Sequence, residues 1–393
     1  MTSSLQIQSR FFPLPERGAD HKKGIMELFP ELKRRYSSDV YNAREAQRMA
    51  EFIAWGPAVF QVSRLMVKYG ILDLLRDNPE GLTLKEIVPK AGISEYGLKC
   101  LMEASLCIGT ILIDTETDKF TLSKVGWFLL ADGAAKVNMG FNHFVNYRGF
   151  YDLDKAIEEG RPAGLPTLGD WPTIYEGLSS LGKEESDSWF AFDHFYSDGS
   201  FERALEIVFG SRPVRNLLDV GGNTGKWALQ CVEHDKDVNV TILDLPQQIG
   251  LMKDNIKGKP GAERIHGYPI NMLDKDAEFP KEPLFDAIWM SQFLDCFSLP
   301  EISSILSRTK AIMGPESRLY IMELLWNRQK FEPAAFCMTM TSIYFTAMAN
   351  GNSKMYYSED LVNVIKECGL EVEKIIDGIG QGHSILVCRL AQN

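Results

Sequence analysis

The chain has 393 residues, 45% of them hydrophobic and 24% charged, with a formal net charge of −11. This is the balance of folded domains, about two of them at roughly 100–200 residues each, and it excludes collagen-like, low-complexity and disordered chains. An acidic surface argues against a phosphate-backbone partner, and seven scattered cysteines without a Cys-x-x-Cys pair form neither a disulfide framework nor a metal site.

Residues 1–45 are polar and broken by Pro13, Pro15 and Pro30, which predicts an arm that is loose or packed on a neighbour. From residue 46 the period is helical, with Ala54, Val59, Val62, Leu65, Met66 and Tyr69 on one face. Asn78-Pro79-Glu80-Gly81 is a turn. Thr83 then caps a second helix, with Glu86 at the capping-box spacing. Ser94 caps a third, whose apolar face is Leu98, Leu101, Met102 and Leu106. Ile111 and Ile113, a turn over 115–119, then Phe120 and Leu122 alternate as a β-hairpin. Helices followed by a hairpin are the order of a winged helix, assigned to residues 46–135. Its third helix carries only Glu95, Lys99 and Glu103 as charges, which favours packing and dimerisation over DNA reading.

Residues 136–205 are rich in aromatics and form a helical linker or lid that contributes to a substrate pocket. From residue 206 apolar strands alternate with helices, which predicts a buried, mostly parallel sheet covered on both faces. Strands are expected over 214–220, 239–245, 264–271, 284–294, 318–326, 371–377 and 383–390. Between them lie helices over 225–234, 247–256, 300–313 and 358–370, the last capped by Ser358. The fold class is α/β, a Rossmann-like domain preceded by an α-helical winged-helix domain.

The sharpest chemical signal is the strand ending in Asp219 and turning through Gly221, Gly222 and Gly225 into a helix. Glycines belong where backbone must approach a ligand or adopt positive φ. The next strand ends in Asp244, and an acid at that place in a doubly wound sheet accepts hydrogen bonds from a ribose diol. No further glycine follows at the spacing a pyrophosphate loop needs. Asp219 before the loop disfavours phosphate and favours a cation. S-adenosylmethionine carries an ammonium and a sulfonium and no phosphate, so charge selects it over NAD.

With LLDVGGNTGKWA, TILDLPQQI, FDAIWMSQFLDCFS and RLYIMELL, the chain resembles the S-adenosylmethionine-dependent O-methyltransferases of phenolic and polyketide metabolism over about residues 45–393. The resemblance implies a winged-helix dimerisation domain, a homodimer, and a Rossmann-like domain over 206–393. It places Gly221, Gly222 and Gly225 along the methionine part of the cofactor, Asp244 at the ribose and Leu245 beside the adenine. Asn271 and Met272 stand where the family has an Asp-Met pair flanking the adenine. Ser291 and Gln292 fall where the family places residues near the adenine and the sulfonium.

The chain departs from the family at the base. Plant-type members carry His-Asp-Trp after strand four, the histidine deprotonating the acceptor hydroxyl; here the residues are Asp295-Cys296-Phe297. The first orienting glutamate of the family matches Glu323, and the second falls near Met355, so it is lost. An ordinary carboxylate is a poor base for a phenol, because a gap of about 6 pKa units is worth about 8 kcal/mol. Three readings stay open: transfer by proximity alone, Asp295 as base or orienter, including for methylation of a ring carbon beside the hydroxyl, or a different reaction with the same cofactor. Asp295 and Glu323 are the catalytic candidates, and His143, His194, Phe195 and Met340 the substrate candidates. The expected function is O-methylation of a small aromatic, phenolic acceptor. The alternatives are C-methylation and a winged-helix ligand-sensing regulator. No apolar run of about 18 residues predicts a membrane span, and the N-terminus has no signal-peptide core, so a cytoplasmic location with no membrane or nucleic-acid partner is expected.

Overall fold

A computed structural model describes residues 28–392. The predicted arm therefore lies partly outside the described residues. Its described end is the helix Pro30–Tyr36, which packs on the chain's own C-terminal half: Leu32 is fully buried, the Phe29 N–H donates to the Asn327 carbonyl at 3.2 Å, and the Arg328 guanidinium sits over the Phe29 ring.

The N-terminal domain places its helices before the hairpin as expected, but with five helices in place of three and a third strand ahead of the Thr83-capped helix. Helices Ala43–Ala54, Gly56–Lys68, Ile71–Arg76, Leu84–Ala91 and Glu95–Ile108 surround a small antiparallel sheet of β1 (Leu82–Thr83), β3 (Lys119–Leu122) and β2 (Ile111–Asp114), in that spatial order. Glu86 accepts hydrogen bonds from both the N–H and the hydroxyl of Thr83, and Ser94 accepts from the Gly97 N–H. The apolar faces read from the sequence meet here: Met66, Ile71, Leu72, Ile87, Leu98 and Met102 are all 1% exposed or less. Helix Ala43–Ala54 buries none of its residues, and Phe52, Ile53 and Trp55 remain exposed.

The C-terminal domain is a seven-stranded sheet. Its strands are β4 (Asn216–Val220), β5 (Asn239–Asp244), β6 (Ile265–Pro269), β7 (Phe285–Ser291), β8 (Met313–Glu323), β9 (Leu370–Ile379) and β10 (His383–Leu390), in the order β6-β5-β4-β7-β8-β10-β9. β6 to β8 pair in parallel, while β10 runs antiparallel to both β8 and β9. Continuous apolar runs such as Leu217-Leu218 and Ile288-Trp289-Met290 are buried because helices cover both faces. The order reverses at β4, where β5 lies on one side and β7 on the other, so the crevice opens at the carboxyl ends of these strands. No described helix is long and apolar enough to cross a membrane.

Several boundaries differ from expectation; the strand expected over 318–326, for one, runs over Met313–Glu323. The strand expected through residue 294 stops at Ser291, because Gln292 takes φ 46° and the Phe293 and Leu294 N–H groups turn away to Glu323. Ser358 is the first residue of its helix and not the cap. Its hydroxyl accepts from the Asn327 side-chain amide and its N–H donates to the same side chain, which ties that helix to the loop after β8.

Residues 136–205 are helical as expected, with Lys183–Ser197 lying across the crevice as a lid. Its ring of aromatics packs with Phe141, Tyr344 and Phe345 into a third core.

Candidate active site

The crevice holds a cavity lined by Asp219, Gly221, Gly222, Ser291 and Gln292, which the sequence placed there, and by His194 of the lid helix. The loop after β4 is shaped by its glycines. Gly221 has φ 77°, and a Cβ there would stand 2.3 Å from the Phe293 ring. A Cβ on Gly222 would meet the Asp219 carboxylate at 2.6 Å. Asp219 is 2% exposed and its Oδ2 has no hydrogen-bond partner; burial, then the Asp244 charge, push its carboxyl up to about 8. A buried unpaired acid is costly unless a cation arrives.

Asp244 closes β5. It accepts from the Asn223 N–H at 2.8 Å and the Leu245 N–H at 2.7 Å, which fixes the carboxylate at the strand end with lone pairs left for two hydroxyls. Burial raises its carboxyl. Leu245 is the N-cap of the helix Pro246–Ile256. Asn271 is exposed after β6, with its Oδ1 taken by the Leu273 N–H, while Met272 is buried. Gln292 adds a left-handed backbone and a buried Oε1 without a partner, both features of a polar site that waits for a ligand.

Asp295 sits one turn beyond Gln292, on the short helix Leu294–Cys296, and is 5% exposed. Burial raises its carboxyl to about 7, with the nearby Asp193 charge adding to the rise. Its charge is felt by Tyr175, Tyr344 and Tyr356, so it faces the aromatic core. Glu323 Oε1 accepts the N–H groups of Phe293 at 3.0 Å and Leu294 at 2.8 Å, which holds the turn that carries Asp295. Burial and the Asp295 charge keep Glu323 well above the usual carboxylate range. Met355, near which the family resemblance sets the second glutamate, is buried in the aromatic core.

The four substrate candidates are not brought together. His143 lies on the helical turn 142–146, against Phe144 and under the charges of Arg64 and Lys68 from helix Gly56–Lys68. Phe195 packs on Gly133 and on the edge of Tyr196. Met340 is 47% exposed on the helix Glu332–Tyr344; Met338 of that helix is the one inside the aromatic core. His194 is in the cavity, on the loop side beside Lys226.

The sequence reading missed four residues here. Asp193 of the lid and Lys226, the first helical residue after Gly225, both line the cavity. Trp227 and Trp289 stack at 4.5 Å on its floor. The signal available was the charge itself: an acid inside an aromatic run, and a lysine straight after a glycine loop.

Residues 47–120 match the dimerisation2-like domain and residues 197–371 match the O-methyltransferase domain. The chain is a member of the S-adenosylmethionine-dependent O-methyltransferases. The methyltransferase is 23% identical over 312 residues to the acetylserotonin O-methyltransferase of Gallus gallus, covering 76% of this chain and 87% of the relative. Its fold is that of the methyltransferase SibL (TM-score 0.64, 17% identity, 87% of this chain and 98% of the other). It is equally that of the O-methyltransferase NcsB1 from neocarzinostatin biosynthesis (0.60, 18%, 85% and 96%), solved with S-adenosylmethionine and a hydroxynaphthoic acid. Its residues fit that cofactor: Asp244 offers acceptors for the ribose, and the unpartnered Asp219 offers a site for positive charge.

Proposed function

We propose that the methyltransferase transfers a methyl group to the hydroxyl of a small phenol, with Asp295 as the general base. The observation that carries this reading is the buried Asp295 carboxyl, which has Asp193 of the cavity wall on one side and Tyr175 and Tyr344 of the aromatic core on the other. In that core the Trp189 indole N–H donates to the Tyr344 hydroxyl at 2.9 Å. Aromatic walls bind a flat acceptor by offset and edge contacts. The Tyr175 hydroxyl is buried beside the Cys296 thiol, next along the chain from Asp295.

The cofactor, when bound, supplies an electrophilic methyl on its sulfonium. The protein then has two tasks, to align the acceptor oxygen behind that methyl and to receive its proton. At about 7, Asp295 is about 3 pKa units below a phenol near 10, a gap of about 4 kcal/mol, half the cost facing an ordinary carboxylate. Burial thus does for this carboxylate part of what the imidazole does in plant-type members. Glu323 acts by positioning: it fixes the backbone turn on which Asp295 rides.

We further propose a homodimer built on the N-terminal domain. The apolar face of helix Ala43–Ala54 is left exposed among the described residues, and contiguous exposed apolar faces mark contacts with a partner. The test of the chemistry is incubation with S-adenosylmethionine and a panel of phenols, read by mass for an added methyl and by NMR for its position. A methyl on oxygen supports the reading; a methyl on a ring carbon, with the hydroxyl intact, overturns it.

A further inference from the structure

The cavity beside the glycine loop carries charges of both signs, and they come from two sides. From the sheet side comes Asp219, buried and unpartnered. From the lid come Asp193 and Asp198, and from the start of the helix after the loop comes Lys226. Among the described residues that line the cavity, Lys226 is the one lysine or arginine. Its Nζ lies 3.1 Å from His194 Nδ1 and 3.3 Å from Asp198 Oδ2, while His194 Nδ1 is 3.5 Å from Asp198 Oδ1. The ammonium is thus steered into the cavity mouth by an i, i+4 pair of the lid helix. Asp198 is matched by that contact. Asp193 forms no ion pair among the described residues and stands partly buried in the cavity wall.

Resting on the reading of this cavity as the cofactor pocket, we infer that Lys226 and Asp193 form a clamp for the amino-acid end of S-adenosylmethionine: Lys226 takes its carboxylate and Asp193 its ammonium. Three features carry this. The ligand's methionine end is a zwitterion, and this cavity is its electrostatic complement, with one cation, Lys226, and two acids outside any ion pair, Asp193 on the lid and Asp219 on the sheet. The two residues lie on different elements, so a zwitterion between them ties the lid helix to the loop. The same lid helix carries Trp189, whose indole N–H holds the Tyr344 hydroxyl, so that tie also reaches the aromatic core beside Asp295. Neither residue belongs to the glycine–aspartate pattern that marks the pocket in the sequence. The remaining charges around the pair are Asp198 and His194 beside Lys226, Asp219 on β4, and Asp295 beyond Asp193; all but His194 are acids, so Lys226 is left to meet the carboxylate.

Titration calorimetry of the full chain with three probes tests the clamp. S-adenosylhomocysteine has both charges, its decarboxylated form has the ammonium alone, and 5′-methylthioadenosine has neither. Lys226→Met weakens S-adenosylhomocysteine about tenfold or more and leaves the other two probes unchanged. Asp193→Asn weakens the first two probes and leaves 5′-methylthioadenosine unchanged. Equal affinity of wild type and Lys226→Met for S-adenosylhomocysteine overturns the clamp while the pocket reading stands. Parallel weakening of all three probes also overturns it, since that reports a distorted loop. Failure of wild type to bind any of the three overturns the pocket reading itself.

Discussion

Asp295 concentrates the chemistry at the scale of one residue. A carboxylate that must be ionised to accept a proton, and whose carboxyl sits near 7, makes turnover rise with pH through about 7 and level off above it. Asp295→Asn removes that limb and lowers turnover by about 10²–10⁴-fold, the usual contribution of a general base, while affinity for S-adenosylhomocysteine holds. A pH–rate profile of the variant that keeps the limb near 7 assigns the base elsewhere. Glu323→Ala leaves the buried N–H of Leu294 and the half-buried N–H of Phe293 without this acceptor, at about 1–3 kcal/mol for the buried one. Chemical unfolding reads this as lost stability; an unchanged midpoint contradicts the positioning role. The position of Asp295 was legible in the sequence by its place after the fourth parallel strand. Its environment was not, because Tyr175, Tyr344 and Asp193, which surround it, come from segments far apart in the chain.

Elements were legible where periodicity and capping agree. The Thr83–Glu86 capping box is present as read, and Thr83→Ala lowers the unfolding free energy by about 1 kcal/mol, measured by urea titration. β10 was read at its observed ends, since an apolar run buried on both faces leaves little choice. β7 was overrun by three residues. The continuing apolar pattern of Gln292-Phe293-Leu294 looks like strand, and only the tertiary bond to Glu323 ends it. The lid helix defeated the reading of its individual residues. All of its aromatics look alike in one dimension, so His194 and Phe195 were chosen as acceptor contacts, whereas the structure puts His194 beside Lys226 and Phe195 against Gly133. The glycine loop, by contrast, is explained residue by residue. Gly221→Ala forces a Cβ into Phe293 at a positive φ, at a cost of about 1–3 kcal/mol in stability, and it weakens cofactor binding as well. Calorimetry that finds both unchanged contradicts the shape assigned to the loop.

The molecule as a whole divides its labour between an N-terminal packing domain, a lid and a doubly wound sheet whose switch point holds the cavity. Composition and strand–helix alternation were enough to give that plan, because layer architecture follows from which faces are apolar. They were not enough to show that the described end of the arm packs on the chain's own C-terminal half through Leu32 and Phe29. The exposed Phe52, Ile53 and Trp55 belong to the dimer interface in this account, so the double change Phe52→Asp and Ile53→Asp shifts sedimentation from dimer to monomer. A wild-type chain that sediments as a monomer contradicts it. The central claim is that the crevice at Gly221–Gly225 and Asp244 holds S-adenosylmethionine. Its most direct test is calorimetric titration with S-adenosylhomocysteine of the wild type and of Asp244→Ala. The account predicts saturable binding, one per chain, weakened by about 1–3 kcal/mol in the variant through loss of a charge-assisted hydrogen bond. A folded wild-type chain that binds none, or a variant that binds equally well, would contradict it.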